Sequence, residues 1–480
     1  MTEKFDLVVI GSGPAGEKGA AQAAYFGKRV ALIEKEPYLG GAATNTGTLP
    51  SKTMRETALV LSSFRQRQLY HLDFRGLKDK VTVRDFLGRE RIVKETERAR
   101  IMENLRRHGV NVYMGEAAFA DSHTITVKPN RCAEFQIHGD VILLATGSYP
   151  YRPPNFPFHD PRVYDSDTII NLHEIPPSML VVGGGVVGCE YACMFAAIGI
   201  QVTLLEKRGR LISSLDNEIA AALKSQLEAN GIRVLVDDSV HDVEAGQDAL
   251  TVHLESDTTL DVDTILVSAG RCGCVESLGL SKVGITTGQR GQIKVNEHFQ
   301  TSVPHIYAAG DVIGNPSLAS TSMEQARVAM VHAFQLQFRE GVASVLPYGI
   351  YTIPECSMVG HTEESLAANK IPYVIGKAYY IQNARGQIIG DEGGFLKLLF
   401  HKEDMKLLGA HMIGEQATEI IHVGLTALLA GAGADLFIQS CYNYPTLSEL
   451  YKYAAYDAMM NRDGKPKKKP AAKKPRSAAK

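Results

Sequence analysis

The strongest constraint on the fold is a pattern that the chain contains twice. Each copy has an apolar run, a turn with three glycines, a run rich in small residues and a second apolar run that ends in Glu. The first copy consists of Phe5–Ile10, Gly11, Gly13, Gly16 and Glu34. The second copy consists of Met179–Val182, Gly183, Gly185, Gly188 and Glu206. In both copies the Glu lies 18 residues after the last glycine, so the two segments predict the same local fold.

This pattern is the signature of the Rossmann unit, in which a strand, a glycine turn, a helix and a second strand bind a dinucleotide. The first glycine permits a tight turn, the second lets backbone N–H groups approach a pyrophosphate, and the third lets helix and strand pack closely. The helix N-terminus then faces the phosphates, and the terminal carboxylate accepts hydrogen bonds from a ribose. Since both copies are complete, we expect two dinucleotide sites.

The rest of the chain is long enough for further domains. With 480 residues it exceeds one hydrophobic core and favours roughly three domains. Leu143–Gly147 and Leu266–Gly270 are apolar runs that end in small residues, and we expect them to return as strands beneath the two nucleotides. From Leu346 onward the glycine fingerprints stop. Alternating runs such as Phe395–Phe400 there predict an antiparallel sheet flanked by helices.

The N-terminus and the cysteines favour a cytoplasmic protein. The apolar run Phe5–Ile10 follows Met1 without the basic segment and cleavage site of a secretory signal. No apolar stretch reaches the length of about 18 residues that a membrane span needs. The seven cysteines contain no Cys-x-x-Cys pair, so we expect buried free thiols. A redox pair of Cys272 and Cys274 is the alternative.

A basic tail ends the chain. The formal net charge is −2, and Gly464–Lys480 contributes eight positive charges and no negative one, which leaves −10 for the rest. Its repetitive, Pro-interrupted composition predicts a disordered extension. Contact with nucleic acid, an acidic partner or an anionic membrane is the alternative role for this tail.

Four further runs are similar to segments of one enzyme family. They are Ala145–Gly147, Thr301–Asp311, Tyr351–Glu355 and Tyr444–Glu449. Together with the two fingerprints they resemble the flavoprotein pyridine nucleotide-disulfide oxidoreductases, and the resemblance covers about Phe5–Asn461. It implies an α/β fold with two Rossmann-like dinucleotide-binding domains and a C-terminal α+β dimerisation domain that makes a homodimer. The expected boundaries are 1–150 and 279–346 for the FAD-binding domain, 151–278 for the NAD(P)-binding domain, 347–463 for the dimerisation domain and 464–480 for the tail.

The resemblance also implies which residues hold the cofactors. It places tightly but noncovalently bound FAD, with Asp311 on the ribitol, at Gly11, Gly13, Gly16, Glu34, Lys52, Thr146, Gly147, Gly310 and Asp311. It places NAD(H) or NADP(H) at Gly183, Gly185, Gly188, Glu206, Gly270 and Arg271. No metal site is predicted.

Departures from the family pattern bear on the reaction. Where the disulfide reductases carry two redox cysteines beside the flavin, this chain has Ala43 and Thr48, and Tyr444 replaces the catalytic His. No thiolate can therefore receive electrons from reduced flavin. In this respect the chain is similar to the transhydrogenase branch of the family. That similarity implies FAD-dependent hydride transfer between NADPH/NADP⁺ and NADH/NAD⁺.

The same similarity implies three catalytic residues. Lys52 is expected near flavin N5, where its charge would stabilise the reduced flavin anion, and Glu190 is expected to be its ion-pair partner. Thr48 would either hydrogen-bond the flavin or serve a structural purpose.

Two other functions stay open. An NAD(P)H oxidase or quinone reductase would pass electrons from the same flavin to a diffusible acceptor, and a scaffold would keep FAD structurally and act through the basic tail. If the protein exchanges hydride, Glu206 predicts that NADH binds better than NADPH, because a carboxylate accepts a free 2′-OH and repels a 2′-phosphate. Lys207 and Arg208 follow immediately, and we expect them to offset this repulsion only in part, because their long side chains can swing to the solvent.

Overall fold

The computed structural model describes residues 2–62, 82–337 and 341–462, and the predicted basic tail lies outside these ranges. The described residues form two compact units. One contains the described residues of 1–214, 220–346 and 350–353, and the other contains those of 215–219, 347–349 and 354–480. The finer domain boundaries expected from the sequence stay a prediction.

The first glycine fingerprint opens a seven-stranded sheet in the first unit. Its strands are β1 (Glu3–Ile10), β2 (Val30–Glu34), β3 (Asn111–Met114), β4 (Glu116–Phe119), β5 (Thr124–Lys128), β6 (Phe135–Leu144) and β17 (Ile306–Ala308). The order is β3-β2-β1-β6-β5-β4, and β17 also pairs with β6. Leu7 and Val9 pack on one face of β1 while Val8 and Ile10 pack on the other. Strand β1 is therefore buried on both faces, as is usual for a parallel strand of an α/β sheet.

The second fingerprint lies in a separate sheet of the same unit, which is parallel throughout. Its strands are β8 (Val163–Asp165), β9 (Ser178–Val182), β10 (Gln201–Glu206), β11 (Arg233–Val236) and β15 (Thr264–Val267). Their order is β11-β10-β9-β15-β8. Both expected returning strands are present, because β6 pairs with β1 and β15 pairs with β9.

Two small antiparallel sheets also belong to the first unit. One is a meander of β12 (Val240–Ala245), β13 (Leu250–Leu254) and β14 (Thr259–Val262), and the other is a ribbon of β7 (Ser148–Pro150) and β16 (Arg271–Gly273). Strands β7 and β16 follow the two returning strands β6 and β15. The ribbon thus ties the end of one nucleotide-binding sheet to the end of the other.

The described helices of the first unit include the two that the fingerprints predict. They are α1 (Pro14–Tyr25), α2 (Gly41–Asn45), α3 (Thr48–Ser62), α4 (Val83–Arg107), α5 (Val186–Ala197), α6 (Asn217–Ala229), whose first residues belong to the second unit, and α7 (Ala319–Ala333). Helices α1 and α5 begin directly after the glycine turns. Pro14 fits the first turn of α1, since the N–H that proline lacks would have no helical partner there.

The second unit has the antiparallel sheet flanked by helices that the sequence predicts. Its strands are β18 (Tyr348–Ile350), β19 (Glu355–Gly360), β20 (Tyr373–Tyr379), β21 (Phe395–His401) and β22 (Leu407–Gly414), in the order β18-β19-β22-β21-β20. Its helices are α8 (Glu363–Ala368), α9 (Ala384–Ile389), α10 (Ala417–Leu429), α11 (Ala434–Gln439) and α12 (Leu450–Arg462). Within the described ranges of the chain, no helix has the length and apolarity needed to cross a membrane.

A buried lysine anchors residues 215–219 to the sheet of the second unit. Lys397 on β21 is fully buried, and its ammonium donates to both carboxylate oxygens of Asp216 at 2.9 Å. Glu363 is also in hydrogen-bond contact with it, and Glu218 lies 3.2 Å away. Burial raises the pKa of Asp216, but the hydrogen bonds and charge of Lys397, the electrostatic interaction with His411 and the Glu218 N–H together lower it below its ordinary value.

Lys397→Met is expected to destabilise the second unit by about 3 to 5 kcal/mol, because it leaves Asp216 as an unpaired buried carboxylate. Hydrogen exchange of the β21 amides measures this loss. The matched control is Lys406→Met, which removes an exposed pair with Asp404 at 3.7 Å and should cost less than about 1 kcal/mol.

The lowered pKa of Asp216 also sets the pH dependence: the stabilisation is present above the unfolded-state pKa of Asp216 and is lost as the pH falls. Equal protection in the two variants would contradict a stabilising role for the buried cluster.

Candidate functional site

In the glycine turns, the backbone lies so close to other backbone atoms that a side chain would not fit. Gly11 has φ +100°, and a Cβ there would lie 2.3 Å from the carbonyl oxygen of Ala145. In the second copy Gly183 has φ +104°, and a Cβ on Gly188 would lie 1.8 Å from the Gly183 carbonyl oxygen. Around Gly185, in contrast, a Cβ would meet nothing within 4 Å. The turns are therefore tight toward the protein and open at the middle glycine, where a pyrophosphate has to approach.

The first glycine turn and its surroundings fit FAD. Glu34 accepts hydrogen bonds from the backbone N–H of Ser12 at 2.9 Å and from its hydroxyl at 2.6 Å, which fixes the carboxylate at the end of β2. The hydroxyl oxygens of Thr46 and Thr146 are buried and have no hydrogen-bond partner among the described residues. Orphaned buried hydroxyls are rare in folded proteins. A Cβ on Gly11 would lie 3.2 Å from the Cα of Thr146, so the hydroxyl of Thr146 belongs to the surroundings of the first glycine turn and fits a polar ligand that hydrogen-bonds to it.

Helices from the two fingerprint halves meet at an ion pair. The Lys52 ammonium on α3 donates to a carboxylate oxygen of Glu190 on α5 at 2.6 Å. The other oxygen of Glu190 accepts the backbone N–H of Tyr351 at 2.9 Å, and the ammonium also lies 4.9 Å from the centre of the Tyr351 ring. The Lys52 side chain keeps 27 % exposure while that of Glu190 keeps 5 %. The carboxylate thus anchors a lysine whose charge stays accessible, as the sequence predicts.

The positions that carry sulfur in disulfide reductases lie on the same segment as Lys52. Ala43 lies within α2, and Thr48 is the first residue of α3 and exposed. Thr48 lies one helical turn before Lys52, which places the two residues on one face of α3. All seven cysteines fall within the described ranges and are free thiols, including Cys272 and Cys274. Burial, which we expected of all seven, is found for Cys189, Cys193 and Cys356, whereas Cys132 and Cys441 are exposed and Cys272 and Cys274 are half-buried.

Arg271 lies in a network that the sequence analysis missed. Its guanidinium donates to the hydroxyl of Ser148 at 2.8 Å and to the carbonyl of Ser148 at 2.7 Å, and it pairs with Asp167 at 3.0 Å. The Ser148 hydroxyl in turn donates to Asp311 at 2.8 Å. Arg271 therefore reaches the residue expected to hold the flavin ribitol. Its role in NAD(P) binding, expected from the resemblance, stays a prediction.

The acid of the second fingerprint is paired with a cation. Glu206 accepts the Gly184 backbone N–H at 2.6 Å and the Arg208 guanidinium at 2.9 Å. Burial raises the pKa of Glu206, but the hydrogen bonds from Arg208 and from the two backbone amides lower it overall. The Arg208 guanidinium lies on this acid, while its side chain keeps 58 % exposure. The repulsion that Glu206 exerts on a phosphate is thus partly neutralised already.

Comparison with known proteins identifies the family. The family model for pyridine nucleotide-disulphide oxidoreductases matches residues 5–330, and the model for their dimerisation domain matches residues 346–455. The chain belongs to the pyridine nucleotide-disulphide oxidoreductase family. The recognition and the fold class expected from the sequence are therefore confirmed, and the FAD and NAD(P) that we expected are the cofactors of this family.

Individual relatives cover nearly the whole chain. A soluble pyridine nucleotide transhydrogenase of Mycobacterium bovis is 44 % identical over 95 % of this chain and 97 % of its own length. One from Pseudomonas putida is 40 % identical over 95 % and 98 %. Among solved structures, LpdA from Mycobacterium tuberculosis has a TM-score of 0.87 at 25 % identity, covering 95 % of this chain and 99 % of that one. The flavoprotein disulfide reductase RclA from Escherichia coli has a TM-score of 0.84 at 27 % identity, covering 94 % and 99 %.

Arg271→Gln is expected to weaken FAD binding by roughly tenfold or more, because the charged bonds that orient Ser148 toward Asp311 are lost. The rate at which FAD dissociates, followed by flavin fluorescence, measures this effect. The matched control is Arg152→Gln, which removes an ion pair to Asp165 from a side chain that is 51 % exposed and should change FAD binding little. If Arg271→Gln instead weakened NADH binding and left FAD binding unchanged, Arg271 would be a nucleotide ligand as the sequence suggested.

Proposed function

We propose that the chain is a FAD-dependent enzyme that exchanges hydride between NADPH/NADP⁺ and NADH/NAD⁺ with no redox disulfide. The observation that carries the proposal is the combination found on α2 and α3. Ala43 and Thr48 stand where a dithiol would accept electrons, while the Lys52–Glu190 pair on the same segment is intact. Relatives at 40 to 44 % identity over nearly their full length, named soluble pyridine nucleotide transhydrogenase, support it.

In the proposed reaction, the cofactor and the protein have different roles. Bound FAD supplies the ring that takes a hydride from one nicotinamide and returns it to another. Lys52 supplies a positive charge in a partly dry site, where it stabilises developing negative charge more strongly than it would in water. Glu190 positions that charge, since it is itself fixed by the Tyr351 N–H.

The second fingerprint holds the nucleotides one after the other. Gly183, Gly185 and Gly188 would bind the pyrophosphate through backbone N–H groups at the start of α5, and Glu206 would meet the adenosine ribose. A single nicotinamide site is sufficient, because the oxidised product leaves before the second nucleotide enters. Gly11, Gly13, Gly16, Glu34, Thr146, Gly147, Gly310 and Asp311 would hold FAD in the same manner at the first fingerprint.

We also propose that the protein is a homodimer. The second unit matches the family's dimerisation domain. On α12, Tyr453, Tyr456 and Met460 are 54, 43 and 53 % exposed. Their spacing of three and four residues places them on one helical face, and an exposed apolar patch of this kind is typical of an interface. The cytoplasmic location stays a prediction, and so does any binding by the basic tail.

The test is anaerobic hydride exchange from NADPH to thio-NAD⁺, followed by the absorbance of the reduced analogue. Wild-type protein should catalyse it, and Lys52→Met should retain FAD but reduce the flavin roughly 100-fold more slowly, the usual cost of removing a charge-stabilising donor. The matched control is Lys94→Met, which breaks a lysine–glutamate pair of 2.8 Å on α4 and should leave the rate near wild type. Flavin that NADPH reduces but that only oxygen or a quinone reoxidises would contradict the proposal. An unchanged rate and flavin potential in Lys52→Met would show that Lys52 is structural.

A further inference from the structure

The two fingerprints share one hydrogen-bond pattern around their acids. In each copy, one carboxylate oxygen of the acid accepts a hydrogen bond from a backbone N–H of the glycine turn. The donor to Glu34 is the N–H of Ser12 at 2.9 Å, and the donor to Glu206 is the N–H of Gly184 at 2.6 Å. In each, the other oxygen accepts the N–H of the second residue after the acid, at 2.9 Å. The two copies thus hold the acid in the same way, and any difference between their ribose sites comes from side chains.

The decisive side chain is that of the second residue after the acid. It is Glu36 in the first copy and Arg208 in the second. The adenosine ribose of FAD carries no 2′-phosphate, so an acid at this position meets no phosphate repulsion there. The second copy instead places a guanidinium directly on the carboxylate.

Arg208 is attached at two points and remains open to solvent. Its Nε donates to Glu206 at 2.9 Å, and its Nη1 donates to the hydroxyl of Ser213 at 2.9 Å. The Arg208 side chain is 58 % exposed, whereas that of Glu206 is 5 % exposed. Of the pair, the carboxylate is the fixed member and the guanidinium is the member that has room to move.

Two other charged side chains near Arg208 are held by a backbone group or have the wrong sign. Arg210 donates to the backbone carbonyl of Ser213. Asp237 lies against Gly209, where a Cβ would be 3.0 Å from its carboxylate, and it adds negative charge beside the site. A phosphate that approaches Glu206 therefore needs a cation, and Arg208 is the one already in contact with the acid.

Hydride exchange between the two nucleotide pools makes a specific demand on this site, and the inference rests on that proposed function. One site must accept a ribose with a free 2′-OH and a ribose with a 2′-phosphate. We propose that Arg208 meets this demand by exchanging partners. With NAD(H), Arg208 stays paired with Glu206 and the 2′-OH donates to the acid. With NADP(H), the guanidinium leaves Glu206 and pairs with the 2′-phosphate. The planar guanidinium of arginine suits a phosphate because it can donate two parallel hydrogen bonds to it.

The test compares the dissociation constants of NADP⁺ and NAD⁺ for the FAD-loaded protein, measured by calorimetry, with 2′-AMP and 5′-AMP as fragment probes. Arg208→Gln should weaken NADP⁺ and 2′-AMP by roughly 10- to 100-fold, the range for a lost charge-assisted bond, and NAD⁺ by less than about threefold. Arg208→Lys keeps the charge without the fork and should give an intermediate loss of NADP⁺ affinity. The matched control is the neighbouring exposed cation, and Lys207→Gln should change NADP⁺ binding by less than about threefold.

Equal losses for NAD⁺ and NADP⁺ in Arg208→Gln, or a loss in Lys207→Gln as large as that in Arg208→Gln, would overturn the assignment. These binding results are independent of hydride exchange in the wild type. A wild-type protein that binds both nucleotides but fails to exchange hydride would refute the proposed function and leave the assignment of Arg208 to be decided by the dissociation constants alone.

Discussion

The ion pair between Lys52 and Glu190 is the contact on which the arrangement of the site depends. A carboxylate that keeps only 5 % of its exposure has lost most of its hydration, and it needs both a cation and a further donor to compensate. Lys52 supplies the first and the Tyr351 N–H supplies the second. Because Lys52 follows the first fingerprint and Glu190 belongs to the helix of the second, this pair links the two nucleotide-binding halves, as the ribbon of β7 and β16 also does.

The duplicated fingerprint explains how one backbone arrangement can bind two different dinucleotides. The glycine contacts and the acid at the strand end repeat almost atom for atom, because they serve the pyrophosphate and ribose that FAD and NAD(P) share. The differences are confined to what surrounds them. Thr146, whose hydroxyl is buried, lies next to the first turn, and a basic segment follows the second acid. Under the proposed function, a cofactor that stays bound would be held by buried groups, and a substrate that exchanges would be met by an exposed cation.

The sequence was sufficient where the signal is local. The glycines, the acids and the alternating strands act through spacings that are fixed along the chain, so the two Rossmann sheets and the antiparallel sheet of the second unit were predictable. The Lys52–Glu190 pair was predictable only through the family resemblance, since 138 residues separate its members. The chain of contacts from Arg271 through Ser148 to Asp311 joins three distant segments without a characteristic spacing. The contact between Arg208 and Glu206 was not predicted, because an exposed arginine has no positional signal in the sequence.

Storage of electrons on the flavin alone is tested most directly by counting reducing equivalents. FAD-loaded protein is titrated anaerobically with dithionite while the visible absorbance of the flavin is recorded. With Ala43 and Thr48 at the sulfur positions, one two-electron equivalent per FAD should bleach the flavin completely, without a long-wavelength band from a thiolate beside it. Consumption of two equivalents per FAD, with such a band at the midpoint, would show a redox-active thiol pair and contradict the account.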